Sequence, residues 1–173
     1  MPPRTRLFWC LIGFLRGVDG IAYVSAQGDD SLDYSAESSP WATVARALSE
    51  PNKIGGSLVL LGVAGPLTGL GNTNLTFSSM SVSVSSTTGA VVDCEGVAGR
   101  HGWALTRGAY WLTGVTFRAC DQGARSRSAY TVYRGCRFER NERRYGNGSA
   151  LQIDGASAEA IDCVFADNAN TDG

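Results

Sequence analysis

One short phrase, returning at a fixed interval through the second half of the chain, limits the possible folds more than any other feature. A turn residue, a small core-type residue and one variable position lead into Phe: Gly114-Val115-Thr116-Phe117, Gly135-Cys136-Arg137-Phe138 and Asp162-Cys163-Val164-Phe165. A shorter copy reads Asp93-Cys94-Glu95. The second members are spaced 21, 21 and 27 residues apart, and the polar stretch Glu142 to Gly148 reads as the six-residue insertion in the last interval. The intervening runs are β-branched and aromatic, with no helical periodicity. A repeat of that size and texture makes each unit one coil of a β-solenoid.

Stacked coils place equivalent positions over one another. Phe117, Phe138 and Phe165 are therefore expected in one inward column, and Cys94, Val115, Cys136 and Cys163 in a second. Alternate residues of a strand point to opposite sides, which turns Thr116, Arg137 and Val164 outward. The residue before each stacked Cys or Val is Asp or Gly, a type that tolerates the left-handed conformation of a corner.

Phe138-Glu139-Arg140-Asn141 and Phe165-Ala166-Asp167-Asn168 match a Phe-x-x-Asn motif, and Gly148-Ser149-Ala150-Leu151 is close to a Gly-Gly-Ala-aliphatic motif. In these the chain resembles the repeats of polymorphic outer-membrane proteins. The likeness covers roughly Trp41 to Asp172, counting the looser Asn74-Leu75-Thr76-Phe77. It implies a single-stranded right-handed parallel β-helix of the pectin-lyase-like architecture. Two copies depart from the pattern: Phe117-Arg118-Ala119-Cys120 has Cys in place of Asn, and the copy at Cys94 lacks Phe. Asn141 and Asn168, at matched positions, are expected to bond each other's amides in a turn, a structural role.

The N-terminus has a different texture. Arg4 and Arg6 precede the apolar run Leu7 to Leu15, and Val24-Ser25-Ala26 supplies the small residues a signal peptidase needs. Residues 1–26 are thus expected to be a signal peptide, and the mature chain to begin at Gln27 outside the cell. The other reading is an apolar tail or anchor. The run is too short for a bilayer, so no transmembrane span is expected in the mature chain. Cys10 leaves with the leader, and the net charge moves from −1 to −3. Four cysteines remain, an even number suited to an oxidising compartment. Cys136 and Cys163, on neighbouring coils, could form a disulfide or stay as stacked thiols. Asn74 and Asn147 begin glycosylation sequons.

Residues 27–56 read as a lead-in segment and a capping helix. Ser39 offers an N-cap and Pro40 a first helical position; Trp41, Val44, Ala45 and Leu48 share a face, and Pro51 and Gly55-Gly56 end it. The helix would cover the open apolar end of the stack. Residues 57–173 supply the coils. The final coil has no closing element in sequence, so either further coils follow or that end associates with another chain, including end-to-end self-association.

Catalytic patterns are sparse. Asp93 and Asp162 share one expected register three coils apart, roughly 14 Å at strand spacing, outside the roughly 5 to 9.5 Å of glycosidase pairs. His101 stands without a paired acid or a Gly-x-Ser-x-Gly elbow and reads as a loop histidine. Neither phosphate-binding nor dinucleotide glycine motifs occur, and no cofactor, metal site or nucleic-acid partner is expected. Charge is the uneven feature. Eight arginines (118, 125, 127, 134, 137, 140, 143 and 144) face only Asp121, Glu139 and Glu142 across this stretch, an excess of five positive charges. Stacking would gather them into a band, with Arg118, Arg134, Arg137, Arg140, Arg143 and Arg144 as candidate contacts for an anionic polysaccharide or surface protein. The competing reading is charge that keeps a flat β surface soluble. The expected function is an extracellular binding or adhesive module without catalysis. The alternative is a polysaccharide lyase or glycoside hydrolase whose active site is unrecognised or lies outside these residues.

Overall fold

The structure is a computed structural model, and it describes residues 20–54, 56–143, 146 and 148–171, the side chains of residues 52 and 53 excepted. The run Leu7 to Leu15, Arg144 and Asn147 lie outside the described residues. In chain order the elements are β1 (Ile21–Ser25), α1 (Val44–Ser49), α2 (Pro51–Ile54), β2 (Ser57–Leu61), β3 (Leu75–Ser78), β4 (Ser81–Ser86), β5 (Val91–Asp93) and β6 (His101–Thr106). They continue with β7 (Ala109–Thr113), β8 (Thr116–Arg118), β9 (Gln122–Arg127), β10 (Tyr130–Arg134), β11 (Arg137–Glu139) and β12 (Glu142–Arg143). The last are β13 (Leu151–Asp154), β14 (Ser157–Ile161), β15 (Val164–Ala166) and β16 (Ala169–Asn170). Strands dominate and helices are few, which makes this an all-β protein.

Every ladder between named strands is parallel. Sheet I runs β1-β2-β4-β7-β10-β14, sheet II β5-β8-β11-β15 and sheet III β3-β6-β9-β13, with β12 and β16 as a separate pair. From β3 onward the chain visits sheets III, I and II in rotation, and each strand returns beside its predecessor. Tyr110 pairs with Thr131, and Phe117 with Phe138, at the 21-residue step; Phe138 then pairs with Phe165 at 27. The longer step begins past Arg143, because Glu142 pairs with Ala169 while its own N–H still reaches Cys120 of the preceding circuit. The insertion therefore sits where the polar loop was expected.

The aromatic column forms as expected. Phe117 and Phe138 stack at 5.4 Å between centroids, and Phe138 and Phe165 at 5.0 Å. Phe117 and Phe138 are fully buried, whereas Phe165, in the last described circuit, is half exposed. The second column needs a correction. Its first member is Ala90, since the Thr116 N–H donates to Ala90 as that of Arg137 does to Val115 and that of Val164 to Cys136. Val92, paired with Phe117, takes the aromatic position. The true copy of the phrase is Gly89-Ala90-Val91-Val92, four residues before the expected one. Asp93 and Asp162 consequently do not share a register: Asp93 pairs with Arg118, while Asp162 takes the corner position of Gly89, Gly114 and Gly135. At that corner the four residues have φ of 73°, 69°, 57° and 52°.

The N-terminal elements differ from expectation at two points. The helix begins at Val44, not Pro40, because Thr43 is the N-cap and its hydroxyl accepts the Arg46 N–H. Asp30 accepts the N–H groups of Ala42 and Thr43 and the Thr43 hydroxyl, and so holds the preceding stretch extended. Trp41 is thereby left beside β1, bonded to Tyr23, with its side chain fully buried. Pro51 opens the second helical turn, where its missing N–H costs nothing. Val44, Ala47 and Ile54 join Ala22, Val24, Leu58 and Leu60 in one core, so the two short helices cover the first circuit. Residues 24 to 26, the expected cleavage point, fall at the end of β1. Removal of residues 1–26 would strip the first strand of sheet I, with buried Ala22 and Val24, from that core.

Candidate functional site

Outward positions of the sheets carry whatever a ligand could meet. On sheet I the alternation of β7 and β10 turns Tyr110, Leu112, Thr131 and Tyr133 inward, and Trp111, Thr113, Tyr130 and Arg134 outward. Trp111 is opposite Ser83 on one side and Val132 on the other, with Tyr130 and Arg134 diagonal to it. Its ring lies 6.3 Å from that of Tyr130, at 68°. About two fifths of each residue's surface stays open to solvent, 41% for Trp111 and 40% for Tyr130. Large rings on a flat sheet are costly to leave wet, and they present both an apolar face and a polar tip. Around them stand Ser81, Ser83, Thr113, Glu159 and the exposed Arg134, which has no ion-pair partner among the described residues. Tyr130 donates its hydroxyl to Glu159 at 3.1 Å, and that bond holds the phenol above its usual range. The arrangement is a shallow platform: rings for an apolar face, hydroxyls and one cation at its border.

The described arginines of this stretch do not form one band. Arg118 and Arg137 lie on sheet II with Arg140 at its corner, Arg125 and Arg127 on sheet III, Arg134 on sheet I and Arg143 on β12. Most are already engaged. Arg118 grips Asp93 through Nε at 2.9 Å and Nη2 at 2.5 Å. Arg137 and Arg140 share Glu139, at 2.5 and 3.6 Å. Arg125 holds Asp154, and Arg143 donates to Gln152 at 3.0 Å. Arg107, Arg127 and Arg134 have no ion pair among the described residues whose side chains are placed. Arg107 escaped the sequence reading because it lies outside the dense stretch.

Other sequence candidates have structural employment. Asn141 is fully buried; its Oδ1 accepts the Cys120 N–H at 3.1 Å and its Nδ2 donates to the Phe117 carbonyl at 3.1 Å. Asn168 repeats this one circuit on, donating to the Phe138 carbonyl at 2.8 Å and accepting from Asn141. Asn74 is an exposed corner residue with φ 55°, and its Oδ1 accepts the His101 N–H at 2.6 Å. His101 opens β6 at the rim of sheet III. Partial burial lowers its pKa, Asp121 opposes that, and Arg143 and Arg125 add to it. Cys94 and Cys120 form a disulfide, a pairing that the misplaced column concealed. Cys136 and Cys163 are free thiols, and burial pushes that of Cys136 up to about 11.

Among the described residues no group of three or more His, Cys, Asp or Glu is placed to hold a metal ion. No helix among them is long and apolar enough to cross a membrane. No protein family matches this chain, and neither does any curated protein or solved structure.

Proposed function

We propose that the chain is a right-handed parallel β-helix, a β-solenoid, that works outside the cell as a binding or adhesive module for glycans, acidic ones included, without catalysis of its own. The fold reading rests on the rotation of successive strands through three parallel sheets at a 21-residue step and on the left-handed residue repeated at each corner. The extracellular reading rests on the Cys94–Cys120 disulfide, a bond that persists in oxidising compartments. A leader compatible with this core ends ahead of Ile21.

The functional reading rests on the exposed Trp111–Tyr130 pair. A pyranose ring has one face of C–H groups and a rim of hydroxyls. The first packs on an aromatic face, and the second meets Ser83, Thr113 and Glu159. Arg134 adds an unpaired guanidinium that favours a uronate or sulfated sugar. Glycan-binding measurements on neutral and acidic oligosaccharides test this. Trp111→Ala should weaken binding about tenfold or more, the loss of one well-buried aromatic contact. Arg134→Ser should weaken only the acidic ligands. Equal binding by wild type and Trp111→Ala would overturn the platform. Newly reducing or unsaturated ends in the glycan would replace the module with the lyase or hydrolase alternative.

A further inference from the structure

On sheet III, round the corner from the aromatic platform, an open cleft of about 500 Å³ is lined by Thr76, Ser78, Thr106, Arg107, Arg127 and Ser128. Its base is the outward face of β3 and β6, and its walls are two arginines from successive circuits. They are close along the backbone: Arg127 is in register with Thr106, and the Arg107 N–H donates to the Arg127 carbonyl at 3.2 Å. Both side chains are exposed. Like charges on neighbouring strands disfavour each other, and the other described arginines of sheets II and III, their corner and β12 have acceptors: Asp93 for Arg118, Asp154 for Arg125, Glu139 for Arg137 and Arg140, Gln152 for Arg143. Arg107 and Arg127 have none among the described residues. The carboxylate of Asp154 is opposite Arg127 in the ladder and feels its charge through space, but its oxygens are held by Arg125 and Gln152. No acid lines the cleft; four hydroxyl side chains do.

We propose that this cleft is a binding site for a phosphate- or sulfate-type oxyanion carried on a sugar-sized unit. Two guanidinium forks and the hydroxyls of Thr76, Ser78 and Ser128 supply donors on several sides of a tetrahedral group, and Arg is the side chain whose planar donors match such oxygens. The volume lies within the range of small-ligand sites and exceeds the needs of a bare ion. Thr106 already donates its hydroxyl to the Phe77 carbonyl at 3.2 Å, so it is fixed in place at the base. The site stands apart from the platform: it has its own sheet, its own arginines and a different ligand chemistry.

The test is calorimetric titration of the full chain carrying Trp111→Ala, which disables the glycan platform so that the readout belongs to the cleft, at low and at physiological salt, with inorganic phosphate, inorganic sulfate, glucose 6-phosphate, glucose 6-sulfate, glucuronate and glucose. The expected order puts the two ester-bearing sugars first, the inorganic ions next, glucuronate weaker and glucose without measurable binding. The two esters compared with each other, and each with its free ion, distinguish the sources. Arg127→Gln should weaken the esters about tenfold or more, as should Arg107→Asn, whose side chain suits the left-handed corner and so keeps the fold. Arg137→Ser, on sheet II, should leave binding unchanged. Thermal unfolding of each variant checks that the fold is retained; should Arg127→Gln fail to fold, Arg107→Asn alone decides. Ester binding that survives both cleft variants, glucuronate binding as tight as the esters, or no binding by any anion would overturn the proposal.

Discussion

The corner between sheets II and III is held in two different ways along the molecule. Where β8 leads into β9, and β11 into β12, an asparagine on the next circuit reaches back: Asn141 satisfies the Cys120 N–H and the Phe117 carbonyl, and Asn168 does the same for Asn141 and Phe138. One circuit earlier no asparagine is available, because Cys120 occupies its place, and the tie is the Cys120 disulfide to Cys94. The backbone there also differs. β5 is followed by the left-handed Glu95, its N–H held by Asp93 at 2.8 Å, and the chain needs 25 residues instead of 21 to return from Val92 to Phe117. An asparagine amide demands strict register, since its donor and acceptor must each meet a fixed backbone group. A disulfide requires a suitable Cα separation, here 4.8 Å, and Cβ atoms that face each other, but no free backbone donor or acceptor. The sulfur tie thus tolerates an irregular circuit that an amide ladder would not.

The sharpest way to break both halves together is Phe138→Ala. Phe138 is fully buried and stacks between Phe117, beside the disulfide, and Phe165, beside Asn168. The expected loss is about 3 to 5 kcal/mol, the range for a large aromatic removed from a packed core. Urea unfolding measures it, and a loss below about 1 kcal/mol would mean that the column does not carry the core.

The two ties themselves separate at the next level. Replacing Cys94 and Cys120 together by Ser should cost about 2 to 4 kcal/mol, for a closed loop of this size. The effect should centre on amides of β5 and β8 in hydrogen exchange. Asn141→Ala leaves the buried Cys120 N–H without its acceptor and the Phe117 carbonyl without its side-chain donor, and should cost about 1 to 3 kcal/mol, centred on β8 and β11. If both variants loosen the same amides equally, the two corners are not independent devices.

How far these features could be read from sequence follows the same division. Where the circuit is regular, at Val115, Cys136 and Cys163 with their phenylalanines, the 21-residue spacing and the insertion gave the register. Where it is irregular, identity misled: Asp93-Cys94 copies Asp162-Cys163 in residue type, but the fold matches Ala90 and Val92 to that position, and a valine in a phenylalanine column leaves no signal in a motif. The disulfide followed from the same slip. The helix start was misplaced because Asp30, thirteen residues from Thr43, decides it through long-range hydrogen bonds. The candidate contacts were the least legible. Counting arginines along the chain cannot show that five of them are already engaged, nor that Arg107 and Arg127, on successive circuits, line one cleft.

A third tie crosses the boundary between the two corners and should be the weakest. On the outside of sheet II, Asp93, Arg118 and Glu139 occupy one cross-strand row, and Arg137 and Arg140 both approach Glu139. The hydrogen bond from Arg137 holds the Glu139 carboxyl below its ordinary value; slight burial opposes it, and the charges of Arg137, Arg140 and Arg118 assist. A carboxylate whose folded pKa is depressed stabilises the protein above its unfolded value, near pH 4.3, and loses that contribution as pH falls through the folded value. Because Arg137 and Arg140 are largely in solvent, Glu139→Gln should cost less than about 1 kcal/mol at pH 7. That difference should shrink toward pH 3 and also at high salt, where exposed pairs are screened. Urea midpoints of wild type and Glu139→Gln at pH 7 and pH 3 provide the measurement. A gap that widens in acid would show that Glu139 matters as a neutral hydrogen-bonding group, and would leave the disulfide and the asparagines as the ties that join these circuits.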